Sequence, residues 1–465
     1  MNKFTKNVNY ITILNIVGTL IYQGINFILT PYLTRALSLE AYGIVSVYIS
    51  WSTLLVPIIS LTTLSVIPHI KLYIPEHECD MYVSSMLGLS LCSTGIVTLL
   101  TLIGMPFLVS SMELPKMVIV FMIMQSFGMG TVNFIVAYWI QYQETNKQFM
   151  VNVTMAIVTS VFSVFLIQLI GSESQKYMGR IIGLAMPNFI FAVGVYIYIV
   201  VKKRPLFNKK VWRYTIPICI PIIFHLLANT LLSQNSRIML QKIEGFERAA
   251  IYSYIYTIAS LISVLWVALN NAWVPVYFDM LGASKYELIE ERGKKYIFFF
   301  TSIVSGFLLV SPELLTIIGG AKYSEGISIM PFMVLSMYFM FMYSFSINFK
   351  TICKNTMSIA VGTCCASLIN MICNQIFINK WGLIGAAIAT FISYVSLFLF
   401  HQLTVREKSF QYSFKKKFFL PYLSMLLGCL ALYEVFINMW YLRWLIGVVI
   451  GLQLVVKIFK QKSIF

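Results

Sequence analysis

The chain has 465 residues, 59% of them hydrophobic and 11% charged, with 34 Lys and Arg against 17 Asp and Glu for a formal net charge of +17. A soluble domain carries roughly 45–50% apolar and about 25% charged residues, so this composition excludes a string of water-soluble domains. The basic excess lies in short segments between apolar runs, which argues against a nucleic-acid surface and for a polytopic membrane protein.

A helix needs about 20 apolar residues to cross the hydrocarbon core. Charge-free windows of this kind follow one another along the chain. The first six are Tyr10–Thr34, Ala41–Pro68, Met81–Met112, Met117–Gln143, Gln148–Ser172 and Ile181–Val201. The basic stretch from Lys202 to Arg213 interrupts them. Six more follow: Tyr214–Ser236, Ala249–Phe278, Tyr296–Pro312, Gly326–Phe349, Asn355–Asn379 and Trp381–Val405. A second basic stretch, Arg406 to Lys417, precedes Phe418–Tyr433 and the short Trp444–Val456, which extends outward through Trp440 and Arg443. The expected fold is an all-α integral membrane protein of about 14 transmembrane helices. Residues 1–201 form one six-helix lobe, 202–213 a basic cytoplasmic linker, 214–405 a second six-helix lobe, and 406–465 a basic loop with two additional helices.

Basic residues mark the cytoplasmic side of a membrane protein. With the N-terminus inside, the inner segments hold Lys3, Lys6, Lys71, Lys147, the 202–213 stretch, Lys285 to Lys295, Lys350, Lys354, the 406–417 stretch and the tail from Lys457. Both termini are therefore expected in the cytoplasm, Lys209 and Lys415 with them, and Glu113 and Ser324 outside. The apolar stretch after Lys6 is too long for the core of a cleavable signal and has no small-residue cleavage site.

The two lobes share local patterns. Span one ends at Arg35 and leads to Tyr42-Gly43-Ile44-Val45-Ser46-Val47-Tyr48; span seven ends at Arg237 and leads to Ile251-Tyr252-Ser253-Tyr254-Ile255-Tyr256. Span six opens Met178-Gly179-Arg180-Ile181-Ile182-Gly183, and span twelve Trp381-Gly382-Leu383-Ile384-Gly385. An even number of spans per unit makes such repeats parallel, a pseudo-twofold about the membrane normal, with a cleft between lobes as the natural substrate site.

Polar residues within the spans fall on shared faces. In span one these are Asn15, Thr19, Gln23, Asn26 and Thr30; in span seven His225, Asn229, Ser233 and Ser236; in span eleven Thr363, Ser367, Asn370 and Asn374. Spacings of three and four place each set on one helix face. Such a stripe must meet protein or water, because unsatisfied amides in lipid cost several kcal/mol. Two readings stay open: hydrogen-bonded packing between helices, or the wall of a water-filled cavity. Aligning Arg35 with Arg237 sets Gln23 opposite His225. Both arginines sit at expected outer helix ends, where a guanidinium suits phosphate oxygens, an outer gate with Glu40, Glu244 or Glu247, or a lipid-phosphate anchor. Prolines at membrane depth, Pro57, Pro187, Pro217, Pro221 and Pro275, permit bends.

Catalytic patterns do not emerge. The four histidines, His69, His77, His225 and His401, have no acid–base or metal spacing with carboxylates. No phosphate-cradling Gly-rich loop occurs. The eight cysteines, most of them within spans and Cys364 and Cys365 adjacent, read as small packing residues. No cofactor, metal site or catalytic residue is expected.

The run Pro31-Tyr32-Leu33-Thr34-Arg35-Ala36-Leu37, followed by Glu40-Ala41-Tyr42-Gly43, resembles the opening of bacterial polysaccharide transporters, the O-antigen and capsule repeat-unit flippases of the multidrug/oligosaccharidyl-lipid/polysaccharide exporter superfamily. Asn270-Asn271-Ala272-Trp273-Val274-Pro275 and Gly382 with Gly385-Ala386-Ala387 are similar to later segments of the same family. The resemblance implies a flippase moving an undecaprenyl-diphosphate-linked oligosaccharide across the bacterial inner membrane by alternating access. It implies a coupling ion, H+ or Na+, membrane lipids as surroundings, and a polysaccharide polymerase with its chain-length machinery as partners. The cavity candidates are Asn15, Gln23, Asn26, Thr30, Arg35, His225, Asn229, Ser233, Arg237, Asn370 and Asn374. A drug or metabolite exporter, or a peptidoglycan-precursor flippase of the same superfamily, is the alternative. A membrane glycosyl polymerase would call for large outer loops with paired arginines, which this chain lacks.

Overall fold

The computed structural model describes residues 24–25, 27–405, 407–414 and 417–461. Asn15, Thr19, Gln23, Asn26 and Lys415 lie outside the described residues. The described part of span one is α1, over 27–36. The long apolar windows become α2 (Leu39–Ile59), α4 (Glu76–Ile103), α6 (Lys116–Gln141), α7 (Thr145–Leu169), α8 (Lys176–Val201), α9 (Lys209–Glu244), α10 (Phe246–Gly282), α11 (Tyr286–Gly319), α12 (Met330–Ile352), α13 (Thr356–Thr404), α15 (Leu420–Val435) and α16 (Trp440–Gln461). Short helices α3 (Ile67–Tyr73), α5 (Met105–Met112) and α14 (Lys408–Ser413) lie between them. Each described window of the sequence carries its helix, so the protein is an all-α, multi-pass membrane protein of about fourteen spans.

The count depends on α13. At 49 residues it would run about 74 Å if straight, more than twice the hydrocarbon core. Gly382 breaks it with φ 53° and ψ −127°, a conformation that only glycine adopts at low cost. Gly385 lies so close to the Phe377 carbonyl that a Cβ there would stand 2.0 Å from the oxygen. The two halves therefore fold back directly, as spans eleven and twelve, without a loop.

The contacts divide the chain into two compact units, Met1–Ala250 and Ile251–Phe465. This division concerns packing, whereas the expected six-plus-six division concerns repeats. Span seven, which is α9, belongs to the first unit by its contacts with α2 and α4.

In the first unit, the Ser38 hydroxyl accepts from Ala41 N–H and starts α2, with Glu40 in the positive first turn. Gly43 permits a close approach: a Cβ there would lie 2.0 Å from the Phe246 carbonyl oxygen. The last carbonyls of a helix lack a full set of intrahelical partners, and α4 supplies donors to two of those of α2. Ser90 Oγ donates to Ile59 O at 3.2 Å, and Ser93 Oγ to Ile58 O at 2.9 Å. The linker after α8 is held to α4 by the Asp80–Arg204 ion pair and by Ser84 Oγ donating to Pro205 O at 2.9 Å. Asn208 then caps α9 through the N–H groups of Lys210 and Val211. Pro217 and Pro221 lie inside α9, which continues through both.

In the second unit, Trp273 from the Asn270–Pro275 segment is fully buried against Tyr277, Tyr296 and Phe345. Asn348 Nδ2 donates to Asn270 Oδ1 at 2.9 Å, joining α12 to α10. The appended α16 packs on α11. There Arg443 forms an ion pair with Glu313 and donates to Leu309 O at 2.7 Å.

Candidate functional site

The polar row of α9 is the most accessible of the expected stripes among the described residues. His225, Asn229 and Ser233 recur every four residues along one face; His225 and Ser233 are half-buried and Asn229 is exposed. Apolar positions of the same helix, Cys219, Ala228 and Leu232, turn inward. An imidazole, an amide and a hydroxyl in a row form a ladder of donors and acceptors that can meet a polyhydroxylated ligand.

Toward the C-terminal end of α9 the chemistry becomes ionic and buried. Arg237 is 8% exposed and its guanidinium donates to Gln234 Oε1. Ser50 Oγ from α2 donates to the same oxygen at 3.1 Å. Four residues on, Gln241 Nε2 donates to Glu113 Oε2 at 2.8 Å, tying α9 to the segment after α5. Gln234 thus fixes the guanidinium on α2. Arg35, its counterpart by sequence, is exposed near the end of α1, while Thr30 earlier in the same helix is buried.

Span eleven turns out differently. Asn370 and Asn374 are fully buried, and Asn374 Nδ2 donates to Asn370 Oδ1 at 2.8 Å. Thr363 and Ser367 on the same face are buried too. The described candidates therefore separate into the accessible row His225, Asn229 and Ser233, and the buried Thr30, Arg237, Asn370 and Asn374.

Several buried polar groups carry no periodic signal in the sequence. Arg180 in α8 is buried, with Nη1 donating to Ser163 Oγ of α7 at 3.0 Å; it figured only as part of a repeat pattern. Gln234 and Ser50 lie off the periodic faces. Lys350 counted as an inner-loop charge, yet it is 2% exposed and bonded to residues from both ends of α13. An isolated ionisable residue closing an apolar run is the signal that could have found it. The described residues hold no cluster of three or more His, Cys, Asp or Glu able to bind a metal.

A bundle of this kind is shared with solved membrane transporters. An inward-facing multidrug-resistance MATE transporter of the MOP superfamily superposes with TM-score 0.64 and 16% identity, over 82% of this chain and 94% of that one. The lipid II flippase MurJ in an inward closed conformation superposes with TM-score 0.61 and 16% identity, over 99% of both chains. The chain shares its fold with both transporters. Residues 6–281, more than half of the chain, match the family described as polysaccharide biosynthesis protein, and the chain belongs to that family. The Lsg locus protein 1 of Haemophilus influenzae is 22% identical over 327 residues, covering 67% of this chain and 78% of the relative.

Proposed function

We propose that the protein is a flippase that carries a lipid-linked oligosaccharide repeat unit from the inner to the outer leaflet of the bacterial cytoplasmic membrane, for surface polysaccharide assembly. The observation that carries this reading is membership of a polysaccharide biosynthesis family by a chain built almost wholly of membrane-spanning helices. A protein with little of its mass outside the membrane contributes to a polymer pathway by moving something across it. Sugars and a diphosphate do not cross hydrocarbon unaided, because burying unpaired hydroxyls and charges costs several kcal/mol for each group.

In this reading the accessible row His225, Asn229 and Ser233, continued by Gln23 and Asn26 of span one, meets the sugar hydroxyls. Arg237 serves the diphosphate or an acidic sugar, and the exposed Arg35 anchors span one to lipid phosphate. Both termini are cytoplasmic, and the cycle is alternating access. Asn370 and Asn374 serve as packing. The likeness to a multidrug transporter supports a second reading, export of a drug or metabolite.

Deletion separates the two. The flippase reading expects surface glycan to disappear and its lipid-linked precursor to accumulate in the inner leaflet, both restored by the intact gene. Unchanged glycan with raised drug accumulation would establish the exporter instead.

A further inference from the structure

Lys350 stands in the last turn of α12 with its side chain turned into protein. Its Nζ lies 2.8 Å from Ser358 Oγ at the start of α13, 2.6 Å from Thr404 Oγ1 at its end, and 2.9 Å from His401 Nδ1 one turn earlier. The Phe400 ring lies 5.5 Å away. An ammonium has three hydrogens to give, and here three acceptors from the outer ends of the two halves of α13 receive them. All three acceptors are neutral. No described carboxylate forms an ion pair with Lys350; Glu407, at the exposed rim beyond α13, acts on it only through space. The other titratable groups around the site are Tyr343, stacked on the His401 ring at 6.0 Å, and Cys353 at the exposed rim.

His401 is fully buried, and its Nε2 has no hydrogen-bond partner. That edge of the ring faces Gly362 of α13, where a Cβ would stand 2.8 Å from Nε2. The imidazole is therefore seated by shape, with one nitrogen engaged and the other in reserve. A histidine that accepts from an ammonium at Nδ1 carries its own hydrogen on Nε2. The same contact works in reverse, with Nδ1–H donating to the lone pair of a neutral amine.

We propose that Lys350 and His401 form a reversible proton-binding site at the meeting point of three helix ends in the second unit. In the proton-free form Nδ1–H donates to Nζ, and Nε2 holds a lone pair. Binding places a proton from water on Nε2 as the Nδ1 hydrogen passes to Nζ. One N–H forms at Nε2, one breaks at Nδ1, one forms at Nζ, and the site gains a single positive charge. The ammonium then holds Ser358 and Thr404 with its remaining hydrogens, so protonation tightens the grip on both ends of α13. Release loosens it. Thr404 is exposed and Ser358 half-buried, which brings water to the Nζ side of the site; Nε2, sealed against Gly362, receives its proton when that edge of α13 opens. This inference concerns the site alone and stands whatever cargo the protein carries.

The test is nitrogen NMR of the protein in lipid bilayers, with 15N in lysine and histidine side chains, across about pH 5.5 to 9. Signals are assigned through Lys350→Arg and His401→Gln. Wild-type Lys350 and His401 are expected to change together through one transition, with the hydrogen moving between Nδ1 and Nε2. In His401→Gln the Lys350 midpoint moves by about one pH unit or more. If Lys350 stays an ammonium and His401 keeps one tautomer over the whole range, the contact is a fixed clasp and the proposal fails. Two independent transitions in wild type would also overturn it. If one variant fails to fold, the other still assigns its own signal, and the wild-type titration of that residue decides.

Discussion

The polar stripes of α9 and α13 look alike as sequence and end in opposite environments. His225, Asn229 and Ser233 keep the polar face of α9 half-buried to exposed until it closes at the buried Ser236, whereas Asn370 and Asn374 are sealed inside the second unit. The difference teaches that periodicity fixes which residues share a face and leaves open what that face meets. An accessible amide in a membrane protein is available to a ligand, and a sealed one holds helices together.

The largest effect is expected where the comparison assigns function. Asn229→Leu should lower surface glycan by about tenfold or more, the factor that about 1.4 kcal/mol of lost contact produces, with protein level unchanged. Gln23→Leu should do the same if span one completes the row. Normal glycan in both variants would break the comparison on the accessible side, as would a loss of glycan that merely tracks a loss of protein.

The second unit should answer in stability. Arg443 and Glu313 form a charged staple between α16 and α11, reinforced by Trp444 Nε1 donating to Glu313 Oε2 at 3.2 Å. Glu313→Gln leaves the guanidinium buried without its counter-charge and should cost about 3 kcal/mol, read as a lower unfolding temperature in detergent. The joint change to Leu at both positions should recover most of that loss, because it removes both buried charges at once. Lys350 offers the internal contrast, since its acceptors are neutral. Lys350→Met should cost less than Glu313→Gln, about 1–2 kcal/mol for the hydrogen bonds given up.

Asn374→Leu tests the sealed stripe itself. It removes the donor to Asn370 Oδ1 and should destabilise by about 1–3 kcal/mol, while glycan export per molecule of protein stays normal. Export lost at full protein level would move the span-eleven row to the functional side and erase the contrast with α9.

Much of this organisation was legible in the sequence, for physical reasons. Charge-free length marks a span because lipid admits little else, so every described window received its helix. Gly382 marked the opening of span twelve, but an outer loop was expected before it, and the loopless reversal shows only in the backbone at Gly382. Environments were less legible. Lys350, Ser358, His401 and Thr404 have no common period and meet only because α13 folds back on itself. Gln234 was invisible because its role depends on Ser50, 184 positions away. The burial of Arg237, which lies inside α9 and not at its end, was not readable either.

That last point gives the smallest effect and a further test of the comparison. Arg35 and Arg237 align by sequence, yet Arg35 is exposed while Arg237 is buried on Gln234. Lysine keeps the charge but replaces a planar fork with a single ammonium. At an exposed helix end the two serve equally as anchors to lipid phosphate, so Arg35→Lys should change neither glycan nor stability, with any shift within about 0.5 kcal/mol. At position 237 the fork has a built partner, and a lysine would have to reach Gln234 from a different angle. Arg237→Lys should therefore weaken export measurably at matched protein level, and Arg237→Gln more so. If Arg35→Lys impairs export as strongly as Arg237→Lys, both arginines contact cargo, and burial does not separate their roles. If Arg237→Gln exports normally, the buried guanidinium is packing, and the functional row of α9 ends at Ser233.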